Sequence, residues 1–245
     1  MGRRSSANTQ REQLSLPFAT QDRPPLPVGM RKPTPRCAYQ DKIWFGIFPD
    51  HDARARIAGL VARLRGEYGL RAPPTAPERL HVSVHGVGAY ADPPPEIIAA
   101  AERAGAAIEG PSFEVAFDRV LSFKNPGRLP LVLAGGDGLA ALTAVRKALG
   151  AEMRRAGVSQ CVPSGGEPHL TLLYVDRVIR EMKIESIRWV VRELVLVRTL
   201  YGRGRHIHLA TWPLSLTAGR AQRPQGAAPL RQPPLPYGRV STSRR

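Results

Sequence analysis

The sequence predicts an α+β fold built from a duplicated β-α-β unit. Three observations carry this. Strand-like and helix-like segments alternate from residue 39 to residue 215. Two tetrapeptides repeat one pattern 88 residues apart, His81-Val82-Ser83-Val84 and His169-Leu170-Thr171-Leu172. Each falls on the second strand of a strand-helix-strand run. With 245 residues and 42% hydrophobic content, the chain can bury one sizeable core or two small fused lobes.

The elements follow in order. Ile43–Phe48 is a short apolar run closed by Pro49, as in a buried strand. Asp50 or Asp52 is placed to cap the next helix, where Ile57, Leu60, Val61 and Leu64 keep helical spacing. Pro73, Pro74 and Pro77 break the chain before a strand over Leu80–Val87 that holds the first tetrapeptide. Pro93–Pro95 open a second helix with Ile97, Ile98 and Ala101 inward. Phe113–Phe117 alternates and runs on towards Leu121 and Phe123 as a long strand. Leu129–Ala134 is bounded by Pro126-Gly127 and Gly135-Gly136. Asp137 is expected to cap a helix carrying Leu139, Leu142, Val145, Leu149 and Met153. The loop Pro163–Pro168 leads into the strand His169–Tyr174. Trp189–Val197 reads as one long strand, and Arg205–Trp212 as the closing strand before Pro213.

Side chains on a strand alternate between faces, so residues i and i+2 share one. In each tetrapeptide the His and the hydroxyl therefore point one way and the apolar pair points into the core. A lone His of this kind is more simply an ordinary strand residue. Two copies facing one cleft supply a general base, a general acid and two hydrogen-bond donors for a phosphate. An unperturbed imidazole titrates near 6.5, so at neutral pH one can be neutral while the other is protonated. His85 would share the face of His81 in a regular strand and is a candidate substrate contact. Tyr174 and Tyr201 could stack on a base, or equally pack the core. Lys124 and Arg198, with Arg203 and Arg205, sit at strand ends or loops where they could meet phosphate. His206-Ile207-His208 puts two imidazoles on one strand face. No third ligand stands near in sequence, so a cleft-lining or plain strand role outranks a metal pair.

The stretches Trp44-Phe45-Gly46-Ile47-Phe48-Pro49-Asp50, Arg79–Gly88 and Glu167–Leu172, with Glu193–Arg198 and Trp212-Pro213-Leu214, resemble the two-histidine (2H) phosphoesterase superfamily. The closest fit is its bacterial LigT-like branch of 2′-5′ RNA ligases and RNA 2′,3′-cyclic phosphodiesterases. The resemblance covers about residues 41–215. It implies a bilobal LigT-like fold in which two antiparallel sheets flank a central cleft with helices outside. It implies chemistry on 2′,3′-cyclic phosphates or 2′-5′ linkages with no cofactor and no metal. The family's catalytic histidines carry over to His81 and His169, and its phosphate-binding hydroxyls to Ser83 and Thr171. His85 departs from the aromatic or aliphatic residue more usual there. The same residues run backwards would account for reversible joining without an ATP site, and no glycine-rich phosphate loop with a Lys is present. A 2′-5′ oligonucleotide phosphodiesterase and a non-catalytic RNA-binding protein are the rival readings.

Charge supports a polyanionic partner such as RNA. Of the net +16, residues 1–40 carry +5 and residues 216–245 carry +6, and such tails favour nucleic acid at low salt. Both tails, 1–38 and 216–245, are Pro- and Arg-rich without apolar periodicity and are expected to be disordered around a 39–215 catalytic domain. The two cysteines, Cys37 and Cys161, make no disulfide framework and are expected to be reduced. No apolar run reaches the length of a membrane span, and no apolar stretch follows Arg3-Arg4 to make a signal peptide. A cytoplasmic monomer acting on RNA or a nucleotide with a 2′,3′-cyclic phosphate is the expectation.

Overall fold

The computed structural model describes residues 40–123, 129–158 and 166–215. Both tails, both cysteines, Lys124 and most of the loop before His169 lie outside the described residues. The elements are β1 (Asp41–Ile47), α1 (His51–Tyr68), β2 (Val82–Tyr90), α2 (Pro95–Ala106), β3 (Phe113–Ser122), β4 (Leu129–Ala134), α3 (Ala140–Arg155), β5 (His169–Val175), β6 (Met182–Val191), β7 (Glu193–Leu200) and β8 (Arg205–Pro213).

The strands lie in the order β6-β3-β4-β5-β2-β1-β7-β8, every neighbour antiparallel. The order exposes the duplication. β1-α1-β2 on one side answers β4-α3-β5 on the other, and each unit is flanked by two further strands. The two four-stranded halves join at one registered pair, Val82 opposite Leu170. Beside it, Pro74 bridges to Leu173, and the Thr75 N–H donates to the Leu172 carbonyl at 2.7 Å. The segment before β2 thus satisfies backbone groups of β5 that β2 leaves open.

One apolar core runs under both halves on the helix-covered face. It joins Phe45, Val82, Leu131, Leu133 and Leu170 to Ile57 and Leu64 of α1, Ala100 and Ala104 of α2, and Leu142, Leu149 and Met153 of α3. A side chain as fully buried as Phe45 contributes about 1.5–3 kcal/mol. Trp44, Val195 and Val197 form a separate cluster with Phe48. Trp44 and Val197 pair across β1 and β7, so this cluster marks the opposite face of the sheet, the one that carries the site.

Local chemistry explains the helix ends. Asp50 is the cap of α1: its carboxylate accepts from the Ala53 N–H at 2.9 Å, and Gly69 closes the helix in a left-handed conformation at φ 59°. Asp137 does not cap α3. It opens a short 3₁₀ turn, Asp137–Leu139, and Leu139 precedes the helix with no side-chain cap. The expected strand Trp189–Val197 is two strands. The chain breaks at Arg192, whose carbonyl accepts from the Leu214 N–H at 2.7 Å, so β6 joins the outer edge of one half and β7 enters the other.

Candidate active site

The antiparallel register set by Val82 and Leu170 places His81 opposite Thr171 and Ser83 opposite His169. Facing Cβ atoms in such pairs lie roughly 4.5–5.5 Å apart, and diagonal neighbours roughly 7–8 Å. The two histidines are diagonal neighbours. The gap between them is suited to a phosphate, with one hydroxyl on each side. Ser83 is exposed, while His81, His169 and Thr171 are partly buried.

Each imidazole is held in the same way. Nδ1–H of His81 donates to the Arg79 carbonyl at 2.7 Å, and Nδ1–H of His169 donates to the Glu167 carbonyl at 2.9 Å. The acceptor lies two residues back in both cases. A carbonyl can only accept, so these bonds fix the neutral tautomer and leave each Nε2 lone pair for chemistry.

Each ring also rests on an aromatic one. Trp44 lies 4.3 Å from His81 between ring centroids, and Phe123 lies 4.8 Å from His169, edge to face. Trp44 is itself fixed, because its Nε1–H donates to Thr199 Oγ1 at 2.8 Å. Gly46 makes room for it: a Cβ there would stand 2.3 Å from the indole ring. On the His81 side His206 adds an edge-to-face contact at 5.1 Å, and His208 packs on Phe48 at 4.8 Å. Burial in this ring cluster pushes His81 down to about 4; its bond to Arg79 opposes the shift, and the neighbouring His206 and His169 add to it. His206 is lowered by burial and by the Arg79 charge, and its Nδ1 is buried without a partner.

His85 does not lie as the alternation suggests, Arg198 is tied down on the other face of the sheet, and Tyr201 lies in a turn. His85 is in the core, 4% exposed, with Nε2–H donating to the Arg146 carbonyl of α3 at 2.7 Å and Nδ1 unpartnered. The cause is a bulge. Phe45 opposes His85 and Gly46 opposes Ser83, so Val84 is an extra residue that reverses the alternation. The second copy has the same bulge at Leu172, between Leu173 and Thr171. His85 thus occupies the place of buried Leu173, and burial lowers its proton affinity against the opposing Arg146 bond. Arg198 opposes Ile43 of the main core, on the helix-covered face. There its Nε–H donates to Asp41 Oδ2 at 2.7 Å. Tyr201 sits in the β7–β8 turn, where its backbone N–H donates to Asp41 Oδ1 at 2.8 Å. That bond above all, with Arg198, holds the Asp41 carboxyl below its ordinary range against the effect of burial. Tyr174, 44% exposed, follows the Leu172 bulge and falls on the His169 face.

A third bulge decides between the cleft-lining and plain strand roles open to His206 and His208. Leu196 opposes Ala210 and Val197 opposes His208, so Leu209 is extra. The shift turns His206 and His208 to the face of Trp44. The available signal for Trp44 and Phe48 was their alternation with Phe45 and Ile47, hidden by a wholly apolar run.

The sequence profile of the 2′-5′ RNA ligase superfamily matches residues 48–203. The chain belongs to that superfamily. Solved structures share the fold. E. coli LigT in apo form is 20% identical, with a TM-score of 0.55, over 73% of this chain and 99% of LigT. E. coli LigT complexed with 3′-AMP is 21% identical, with a TM-score of 0.58, over 71% and 98%. The Thermus thermophilus protein TT0787 is 19% identical, with a TM-score of 0.55, over 71% and 97%. No curated protein sequence matches. The superfamily's span begins at Phe48 and ends at Arg203, so it takes in both His-hydroxyl pairs and neither tail. No helix among the described residues is long and apolar enough to cross a membrane.

Proposed function

We propose that the protein is a metal-independent phosphoesterase that opens the 2′,3′-cyclic phosphates of RNA ends or nucleotides to 2′-phosphates by His81/His169 acid–base catalysis. The observation that carries this is the matched pair of Nδ1–H bonds to the Arg79 and Glu167 carbonyls, which leaves two Nε2 atoms across from two hydroxyls. The complexes of E. coli LigT with 3′-AMP and with phosphate support a phosphate-bearing nucleotide as ligand.

The chemistry runs as an in-line displacement. His81, held neutral well above its lowered pKa of about 4, takes a proton from water through Nε2. The water oxygen bonds to phosphorus as the bond to the ribose 3′ oxygen breaks. His169 delivers a proton to that oxygen. Ser83 and Thr171 donate hydrogen bonds to the non-bridging oxygens as charge gathers on them. A 5′-hydroxyl in place of water gives a 2′-5′ linkage by the same steps. Each imidazole role is worth roughly 10²–10⁴-fold in rate. Tyr174, on the face of His169, is the candidate base contact.

The test is incubation with a nucleoside 2′,3′-cyclic phosphate in EDTA, with the product read by phosphorus NMR, for wild type and His169→Ala. A 2′-phosphate from wild type alone is the expected result. No product from the folded wild type, with a cyclic-phosphate-ended RNA also left intact, overturns the reading in favour of RNA binding or of a 2′-5′ linkage as substrate.

A further inference from the structure

The two motif histidines are matched in their Nδ1 bonds but not in their neighbours. The ring beside His169 is Phe123, which takes up no proton. His81 has a second imidazole beside it. The His206 ring stands edge-on to His81 at 5.1 Å between centroids and 75°, and edge-on to Trp44 at 5.3 Å and 78°. Trp44 in turn lies against the His81 ring at 4.3 Å. The three rings therefore brace one another.

The place of His206 is fixed by the fold rather than by its own side chain. It sits opposite Thr199, the residue that accepts from Trp44. The turn before it is pinned at both ends. Asp41 of β1 accepts from Arg198 Nε–H and from the Tyr201 N–H. At the other end Gly204, at φ +57°, lies so close to Arg79 that a Cβ there would stand 3.1 Å from Nη1. Arg79 is also the residue whose carbonyl holds His81. One residue thus meets both the His81 ring and the turn that delivers His206.

A purely structural ring at this position would better be apolar. His206 keeps its Nδ1 buried with no hydrogen-bond partner among the described residues, which costs stability that a phenyl ring would not. The polarity of the ring therefore has another use, and of the two rings in edge-on contact with it only His81 takes up protons. The charged groups that act on the pair are Arg79 and His169 on His81, and Arg79 and His208 on His206. Each is cationic or becomes so on protonation, so each opposes a proton on this pair. Trp44 from β1 and Thr199 from β7 bring no charge.

We propose that His206 is a positioning residue that commits His81 to the base role and leaves the catalytic proton to His169. Its ring holds His81 edge-on, and a charge on either imidazole opposes one on the other. This rests on the proposed function and names the residue that divides its acid and base roles.

The test is the pH dependence of kcat and kcat/KM on a nucleoside 2′,3′-cyclic phosphate for wild type, His206→Gln and His206→Phe, with a urea curve for each at pH 7.5. Gln removes the ring and its charge, and Phe removes the charge alone. At pH 7.5 His206→Gln should lose about 3- to 10-fold in kcat, the size of one edge-to-face contact, and His206→Phe should recover most of it. The acid limb of kcat/KM reports the base in the free enzyme. With His81 pushed down to about 4, wild type should hold its kcat/KM to about pH 5. His206→Gln should begin to lose it at a higher pH, because exposure and the loss of the second charge both restore proton affinity. An acid limb of His206→Gln that coincides with that of wild type overturns the inference. So does an effect confined to KM, or a kcat that Phe fails to recover, since either makes His206 a substrate contact. If wild type turns over no cyclic phosphate, the proposed function fails, and the pair is read without substrate from the NMR titration of the imidazole Cε1 protons. The His81 midpoint should rise in His206→Gln, and a midpoint that stays in place ends the inference.

Discussion

Burial of His81 makes a definite demand on stability. An imidazole unperturbed in the unfolded chain titrates at 6.5, and in the fold it is pushed down to about 4. The unfolded chain therefore binds more protons than the folded one below pH 6.5. Stability is complete above 6.5 and is lost as pH falls towards 4. From the two pKa values the loss is about 1 kcal/mol at pH 5.5 and about 3 kcal/mol once pH is below 4. His206 and His85 are lowered too, so wild type alone does not isolate His81. The assay is urea unfolding of wild type and His81→Gln at pH 7.5, 5.5 and 4.5. The wild-type stability should fall more steeply than the variant's, with a gap that opens by about 1 kcal/mol between the first two points. Equal slopes in the two proteins refute the reasoning. They would mean that the Trp44 and His206 rings do not shield the imidazole and that it titrates as a solvated group.

Two other substitutions test the placement of side chains around the site. His85→Leu should leave kcat/KM at the wild-type level and change stability by less than about 1.5 kcal/mol, because it exchanges one hydrogen bond for the loss of an unpartnered buried nitrogen; a steady-state assay with a urea curve checks both. Gly46→Ala should destabilise by about 1–3 kcal/mol, since the new methyl meets the Trp44 ring, and should lower kcat by displacing that ring from His81; a loss of stability with kcat intact would separate Trp44 from the chemistry.

The motif strands were legible because their period of two survives as far as the hydroxyl. The His-hydroxyl order, the duplicated strand-helix-strand units and the cap at Asp50 needed only local rules. Everything that depends on bulges was hidden. A bulge arises from how two strands pair, and no single strand announces it. For this reason His85 reads as a neighbour of His81 and lies in the core instead. His206 and His208 read as either a cleft-lining or a plain strand pair, and it takes the bulge at Leu209 to settle them on the cleft face, where His206 touches His81. Arg198 misled for a different reason. Its position at a strand end is compatible with either face, and only the partner Asp41, 157 residues away, settles which. The break at Arg192 was masked because alternation in β6 runs on into β7 without a Gly or Pro between them.

The join between the halves has a mechanical consequence. A sheet of many rungs would hold the two imidazoles at a fixed spacing, but Val82 and Leu170 supply one rung. Rigidity must then come from the Pro74 and Thr75 contacts to β5 and from the far side. There α1, which links strands of one half, lies against β6 of the other, and Arg56 donates to the Ser186 carbonyl at 2.8 Å. In the same manner α3 touches β2. The helices act as crossed struts behind a hinge, and the width of the reacting gap is set by contacts made on the surface that no substrate touches.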